Sequence, residues 1–344
     1  MIMAGIIALT PFAGCKNGKP DVFTLKKRAG EDFKILQLTD IQIIDPSQQP
    51  YEGRLSHAEA EAWQDRDLCA FNLVRQLVGE TDPDYIVLTG DNVYGQFDAD
   101  GSNFIALVTL LESFRIPWSF VNGNHDGEYF VASDKGDPIL CGKGMKWQAD
   151  YVKNNTKYCL YDPGDESMGY GNYSVLIEEK GKPVFSLSML DTHGCNGYES
   201  PGINPKQTEW FETQIKEINE YAGRTVPNLI FLHIPLKQYS LAARSLGSED
   251  DTGVFSGNGN FGENGEKVSC FESDDFWSKI KELSSTVGIF AGHDHVNSAS
   301  LVYEGIRLTY GVKTGTYDYH SVQGGTLISI SSDDNFTVRH VYKG

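Results

Sequence analysis

Short apolar runs alternate with amphipathic stretches along most of this chain. Residues 33–39 switch between apolar and polar positions and end at Asp40, the pattern of a strand with one face on a core. Residues 63–79 carry Leu68, Phe71, Leu73, Val74, Leu77 and Val78 at helical spacing and stop at a glycine, which predicts a helix. The continuous apolar run Tyr85-Ile86-Val87-Leu88 reads as a buried strand, and Thr89-Gly90-Asp91 follows it. Residues 104–114 predict another helix, and residues 117–121 a strand that runs into Gly123-Asn124-His125-Asp126. Three consecutive strand-and-helix units thus end in polar residues at one edge, which is how a doubly wound α/β fold begins.

The pattern continues after a break. Residues 128–169 are irregular and rich in Gly, Asp and Lys, and they predict loops over the edge just described. Strands are expected at 173–177, 184–190, 228–232 and 287–291, and helices at 207–221 and 276–283. The strand at 184–190 leads into Asp191-Thr192-His193, the next into His233, and the last into Gly292-His293-Asp294-His295. Residues 247–265 are Gly/Asp/Ser-rich and read as a mobile loop. Alternating runs at 298–303, 306–310, 326–331 and 336–342 predict a β-meander that completes a second sheet.

The amino terminus has a different character. Residues 1–14 are apolar but too few to span a bilayer, and they look like a secretory signal. Phe12-Ala13-Gly14-Cys15 is similar to a bacterial lipobox, so the expected locations are secreted or periplasmic, with a lipid anchor on Cys15 as the only route to a membrane. Residues 16–27 then read as a linker, which makes 1–27 leader and 28–344 a catalytic domain. The formal net charge of −18 argues against a nucleic-acid partner, since phosphate backbones need a basic surface. An anionic substrate therefore requires local positive charge, for which bound metal ions are the obvious source. Six cysteines form no CxxC; Cys141 and Cys159 either pair in an oxidising compartment or stay as buried thiols.

Five strand ends carry Asp40, Asp91, Asn124, His233 and the pair His293/His295. Carboxylate, carboxamide and imidazole together suit transition ions rather than calcium. Two such ions about 3.5–4 Å apart serve in-line displacement at phosphorus.

The ordered set Asp40, Gly90-Asp91, Gly123-Asn124-His125-Asp126, His233 and Gly292-His293-Asp294-His295 resembles the calcineurin-like metallophosphoesterases over nearly the whole chain after the leader. His233-Ile234-Pro235-Leu236 and Tyr310-Gly311-Val312-Lys313-Thr314-Gly315 look like the small single-domain branch related to purple acid phosphatases. The resemblance implies an α/β fold of four layers, α-β-β-α, with two mixed sheets face to face and helices outside. It implies two metal ions, one on Asp40, Asp91 and His295, the other on Asp91, Asn124, His233 and His293. It also implies a metal-activated hydroxide attacking in line, with His125 bonding the phosphate or protonating the leaving alkoxide. Asp126 then either orients His125 or caps a helix.

One departure bears on the metals. Most of the superfamily has DxH at the first motif, but here Asp40-Ile41-Gln42 puts a glutamine in place of the histidine. Gly90-Asp91-Asn92-Val93-Tyr94 fits the GDxxY spacing of purple acid phosphatases, whose tyrosinate binds ferric iron. If Tyr94 is a ligand, Fe3+ is expected beside a divalent Fe2+, Zn2+ or Mn2+; if it is a packed loop aromatic, two divalent ions are expected. Asn92 contacts substrate or orders Asp91, and His193 lines the pocket or serves the fold. The expected substrate is a small phosphate monoester or a phosphorylated protein. A phosphodiesterase, and a metal-binding surface protein without turnover, are the alternatives.

Overall fold

A computed structural model describes residues 19–49, 52–128, 141–195, 200–245, 254–256, 264–316 and 322–343. The leader and Cys15 lie outside the described residues, as does most of the glycine-rich stretch at 247–265. Among the described residues, no helix is long and apolar enough to cross a membrane.

Two sheets carry the fold. The five-stranded sheet contains β2 (Phe33–Leu38), β3 (Tyr85–Thr89) and β4 (Trp118–Val121), all parallel, with the late antiparallel strands β13 (Gln323–Ile330) and β14 (Phe336–Lys343) beyond β2. The seven-stranded sheet has the order β1 (Phe23–Lys27), β5 (Tyr173–Glu179), β6 (Lys182–Met189), β7 (Asn228–Phe231), β10 (Thr286–Ala291), β12 (Ile306–Tyr310) and β11 (Ser300–Tyr303). Its β6, β7, β10 and β12 are parallel, so both sheets are mixed. A small ribbon joins β8 (Val254–Ser256) and β9 (Asn264–Lys267).

Period-two alternation explains the layers. On β3, Tyr85 and Val87 face the other sheet, where they meet Val175, Leu187, Leu229 and Phe290. Ile86 and Leu88 point the opposite way, onto Leu73, Val74 and Leu77 of α1 (His57–Thr81) and Phe104, Leu107 and Leu111 of α2 (Ser102–Phe114). The outer face of the second sheet, with Ile230 and Ile289, is covered by α4 (Pro205–Ala222), α5 (Lys237–Ser245) and α6 (Asp274–Leu283). The order is therefore helix, sheet, sheet, helix, as expected.

Three expectations need correction. Residues 23–27 are not linker: they form β1, in parallel register with β5, and Leu25 and Lys27 are buried there. A five-residue strand whose last two residues are lysines offers too few apolar positions to be distinguished from loop. The terminal strands do not form one meander, because β11 and β12 belong to one sheet and β13 and β14 to the other. The stretch at 128–169 also contains α3 (Cys141–Asn155), whose Met145, Ala149 and Val152 are buried. Cys159 is a free buried thiol, so it does not pair with Cys141, and Cys195 is disulfide-bonded.

Candidate metal centre

The carboxyl ends of β2, β3, β4, β7 and β10 converge where the two sheets meet. Backbone hydrogen bonds lace the loops together: Asp40 N–H donates to Gly90 O at 3.0 Å, Gln42 N–H to Asp91 O at 2.9 Å, and Gly292 N–H to His233 O at 3.0 Å. Asp40, Asp91 and His293 adopt left-handed backbone with φ of 51°, 49° and 77°. Such conformations are costly for non-glycine residues and concentrate at functional sites. The glycines in the motifs have a steric reason. A Cβ on Gly90 would lie 2.5 Å from His233 Nδ1, and one on Gly123 would lie 2.2 Å from Asp91 Oδ1.

Asp91 is central and almost fully buried. Its Oδ1 accepts from His125 N–H at 2.9 Å and lies 3.4 Å from His233 Nε2. Its Oδ2 accepts from Gln42 Nε2 at 3.1 Å. The same Gln42 nitrogen is 3.4 Å from His295 Nε2, and that imidazole lies 3.4 Å from Asp40 Oδ1. On the other side His233 Nε2 is 3.1 Å from Asn124 Oδ1, and the His233 and His293 rings are 5.1 Å apart. Asp91 thus faces two groups of ligand-type atoms, one with each carboxylate oxygen.

The electrostatics fit a cation. His233 Nδ1 lies 2.8 Å from Thr89 O, to which it donates, so Nε2 faces Asp91 and Asn124 as a lone pair unless it carries a proton. Burial opposes its charge, but the Asp91 carboxylate overrides that and pushes the imidazole up to about 10. Burial likewise opposes ionisation of Asp91, yet His233 and His125 hold that carboxyl well below the usual range. His293 goes the other way: burial and the neighbouring His233 charge push it down to about 4. A cluster of acceptors with this pull holds a proton or a metal ion, and Asp40, Asp91 and His233 bring ligand atoms within 4.8 Å of one another.

His125 sits beside this centre, with Nε2 3.9 Å from Asp91 Oδ2. Its Nδ1 is 2.8 Å from Glu128 Oε2, and the Glu128 side chain is fully buried. Asp126 is not the orienting partner. Its carboxylate accepts from the N–H groups of Asn92, Val93 and Gly123 at 2.9, 3.1 and 2.7 Å, so it ties the β3 loop to the β4 loop and caps no helix. Burial and the nearby Asp91 push Asp126 up to about 7. Asn92 belongs to that knot. Its Nδ2 donates to Asp126 Oδ2 and Val121 O, and the side chain is buried. His193 Nε2 pairs with Gln207 Oε1 at 3.1 Å, which braces the loop after β6.

Glu128 escaped the sequence reading. The signal was an acid one turn beyond a histidine, His125-Asp126-Gly127-Glu128, and the adjacent Asp126 masked it.

Tyr94 lies flat on His125, with ring centroids 4.1 Å apart and planes 23° apart, and edge-on to Phe97. Burial and the Glu128 charge push its phenol up to about 12, against the pull of the nearby Arg54 guanidinium.

Comparison with known proteins bears directly on this arrangement. A model of the calcineurin-like phosphoesterase family matches residues 33–300. The chain belongs to that family. Calcineurin-like phosphoesterases use a dinuclear metal centre, and the buried Asp40/Asp91/His233 cluster stands where this one converges. The chain is 28% identical to "Probable inactive purple acid phosphatase 14" of Arabidopsis thaliana over 84% of this chain and 72% of the relative. It is also 28% identical to "Phosphatase DCR2" of Saccharomyces cerevisiae over 78% of this chain, though only 45% of that protein is covered. Among solved structures, a dimetal phosphatase from Danio rerio superposes with a TM-score of 0.55 at 12% identity, covering 90% of this chain and 96% of that one; at this identity the likeness concerns the fold.

Proposed function

We propose that this calcineurin-like phosphoesterase hydrolyses phosphate monoesters at a two-metal centre, with His125 acting on the ester. The observation that carries the reading is the division of Asp91: one carboxylate oxygen faces Gln42 and through it His295, the other faces His233. Asp40, Asp91 and His295 would hold one ion, and Asp91, Asn124, His233 and His293 the other. When bound, the ions supply an activated water and neutralise phosphate oxygens. The chain's own residues do the rest. Thr89 O fixes the His233 tautomer, and Asp126 holds the loops that carry Asp91 and Asn124 in register. Glu128 fixes His125 and favours its protonated form, so that Nε2 can donate to a phosphate oxygen or to the departing alkoxide.

The preferred metal content is two divalent ions, because Tyr94 is engaged as the stacking partner of His125. A second reading has Tyr94 as a phenolate ligand to Fe3+. It is favoured by Gln42, which stands between Asp91 and His295 at the position of the histidine in the DxH motif described above. Three curated relatives are named probable inactive, and one is named a phosphatase. Steady-state assays with 4-nitrophenyl phosphate and bis(4-nitrophenyl) phosphate on metal-loaded protein test the proposal. Faster monoester turnover supports it. Faster diester turnover identifies a phosphodiesterase, and two bound ions with neither activity identify a metal-binding protein without turnover.

A further inference from the structure

A cavity of about 260 Å³ opens beside Asn124 and His293, and no step described above uses it. One wall is Gly194, Pro201 and Ile234; the other is Ser269 and Cys270. Both walls are fixed in place. The first is braced by Gly202 N–H donating to Thr192 O at 2.9 Å and by the fully buried half-cystine Cys195. Gly194, at φ 87°, also packs so closely that a Cβ there would lie 2.6 Å from Ile234 Cδ1. The second wall hangs on Asp294, whose carboxylate accepts from Ser269 N–H at 3.2 Å and from the hydroxyl of Tyr310. A pocket already formed costs little ordering on binding.

We propose that this cavity receives the alcohol portion of the phosphate ester, and that the alcohol is a small uncharged group of about one ring. The inference rests on the phosphoesterase reading above, since it places the phosphate at the metal centre and the leaving group next to Asn124 and His293. Size supports it: an apolar cavity of about 150 Å³ accepts benzene, while pockets for larger ligands run to about 300–1,000 Å³. Lining chemistry supports it too. The described lining residues include no Asp, Glu, Lys or Arg. An anionic leaving group would meet no cationic side chain among the described lining residues, within a chain of net charge −18. Ile234, Pro201 and Cys270 offer apolar contact, and Ser269 and Asn124 offer hydrogen bonds. Cys270 is half-buried at the wall.

Isothermal titration of metal-loaded protein with methylphosphonate, phenylphosphonate and 4-carboxyphenylphosphonate tests this without turnover. Phenylphosphonate is expected to bind at least about 10-fold tighter than methylphosphonate, and the carboxylated ring to lose that advantage. Cys270→Phe and Pro201→Trp, placed on opposite walls, should each abolish the phenyl preference and leave methylphosphonate affinity within about 2-fold. Melting temperatures identify a variant that fails to fold, and the other then decides. Equal affinity for the methyl and phenyl compounds in the unaltered protein, a phenyl preference that survives filling of the cavity, or full affinity for the carboxylated ring overturns the inference while leaving the phosphoesterase reading intact. Failure to bind any of the three overturns both.

Discussion

Replacing Glu128 separates the work of His125 from the work of the metals. Glu128 Oε2 lies 2.8 Å from His125 Nδ1, in a position with 2% exposure. Its carboxylate is turned to the ring of His125, which is not among the proposed metal ligands, so the variant should keep its metal ions. A buried hydrogen bond to a charged group is worth about 1.5–3 kcal/mol. If it acts on His125 in the transition state, its loss lowers kcat by roughly 10- to 100-fold. Glu128→Gln keeps an acceptor and loses the charge, so it should fall near the lower figure; Glu128→Ala frees the ring and should reach the upper. The effect should depend on the leaving group. A nitrophenolate departs with little protonation, whereas an alkoxide needs it, so phenyl or alkyl phosphates should suffer more than 4-nitrophenyl phosphate. Steady-state kinetics with that substrate pair, beside metal analysis and a melting curve, provide the assay. Equal loss on both substrates assigns His125 to phosphate binding rather than proton donation. An unchanged kcat in folded, metal-replete Glu128→Ala refutes the reasoning.

Gly123→Ala places a Cβ 2.2 Å from Asp91 Oδ1 and 2.3 Å from Asp91 N; because one of these is backbone, no side-chain rotation relieves the clash, and metal content and activity should both fall, as metal analysis would show. Asp67 is largely buried on α1 and accepts from Ile44 N–H; burial pushes its carboxyl from 3.8 up to about 7. Its folded form therefore holds the proton more tightly than the unfolded chain, and its contribution to stability is full below about pH 4 and lost as the pH rises through about 7. Asp67→Asn removes that loss and should stabilise the protein by ~2–3 kcal/mol at pH 8, after allowance for residual exposure, with little change at pH 4 in urea melts. Tyr94→Phe should keep two metal ions and alter turnover only a few-fold; a visible absorption band in the parent that vanishes in this variant would instead establish ligation to ferric iron.

The metal-type residues were legible in the sequence because each follows an apolar run that can only be a strand, and a strand's end fixes where the next residue sits. Asp40, Asp91, Asn124, His233 and His293 needed no tertiary information beyond the rule that such ends gather at one edge. The layers were legible for the same reason: Tyr85 and Val87 alternate with Ile86 and Leu88, and each pair found its own core. What escaped depended on contacts distant in sequence or on side-chain direction. Strand β1 is held by pairing with β5, some 150 residues away, not by an apolar pattern of its own. Asp126 and Glu128 are both acids near His125, and only the turn geometry decides which carboxylate reaches the ring. Asn92 looked available for substrate, but its side-chain amide is taken up by Val121 O and the Asp126 carboxylate. The cysteine pairing was open in principle, since spacing does not determine which thiols approach.

The central claim is a dinuclear centre built around Asp91, and the most direct test is to titrate metal-free protein with Mn2+ or Zn2+ while following both ion binding and phosphate-ester hydrolysis. The account predicts that hydrolysis appears only as the second equivalent binds, and that Asp91→Ala binds at most one ion tightly and is inactive. Hydrolysis that survives complete chelation, full activity with a single ion, or two tightly bound ions in Asp91→Ala would contradict it.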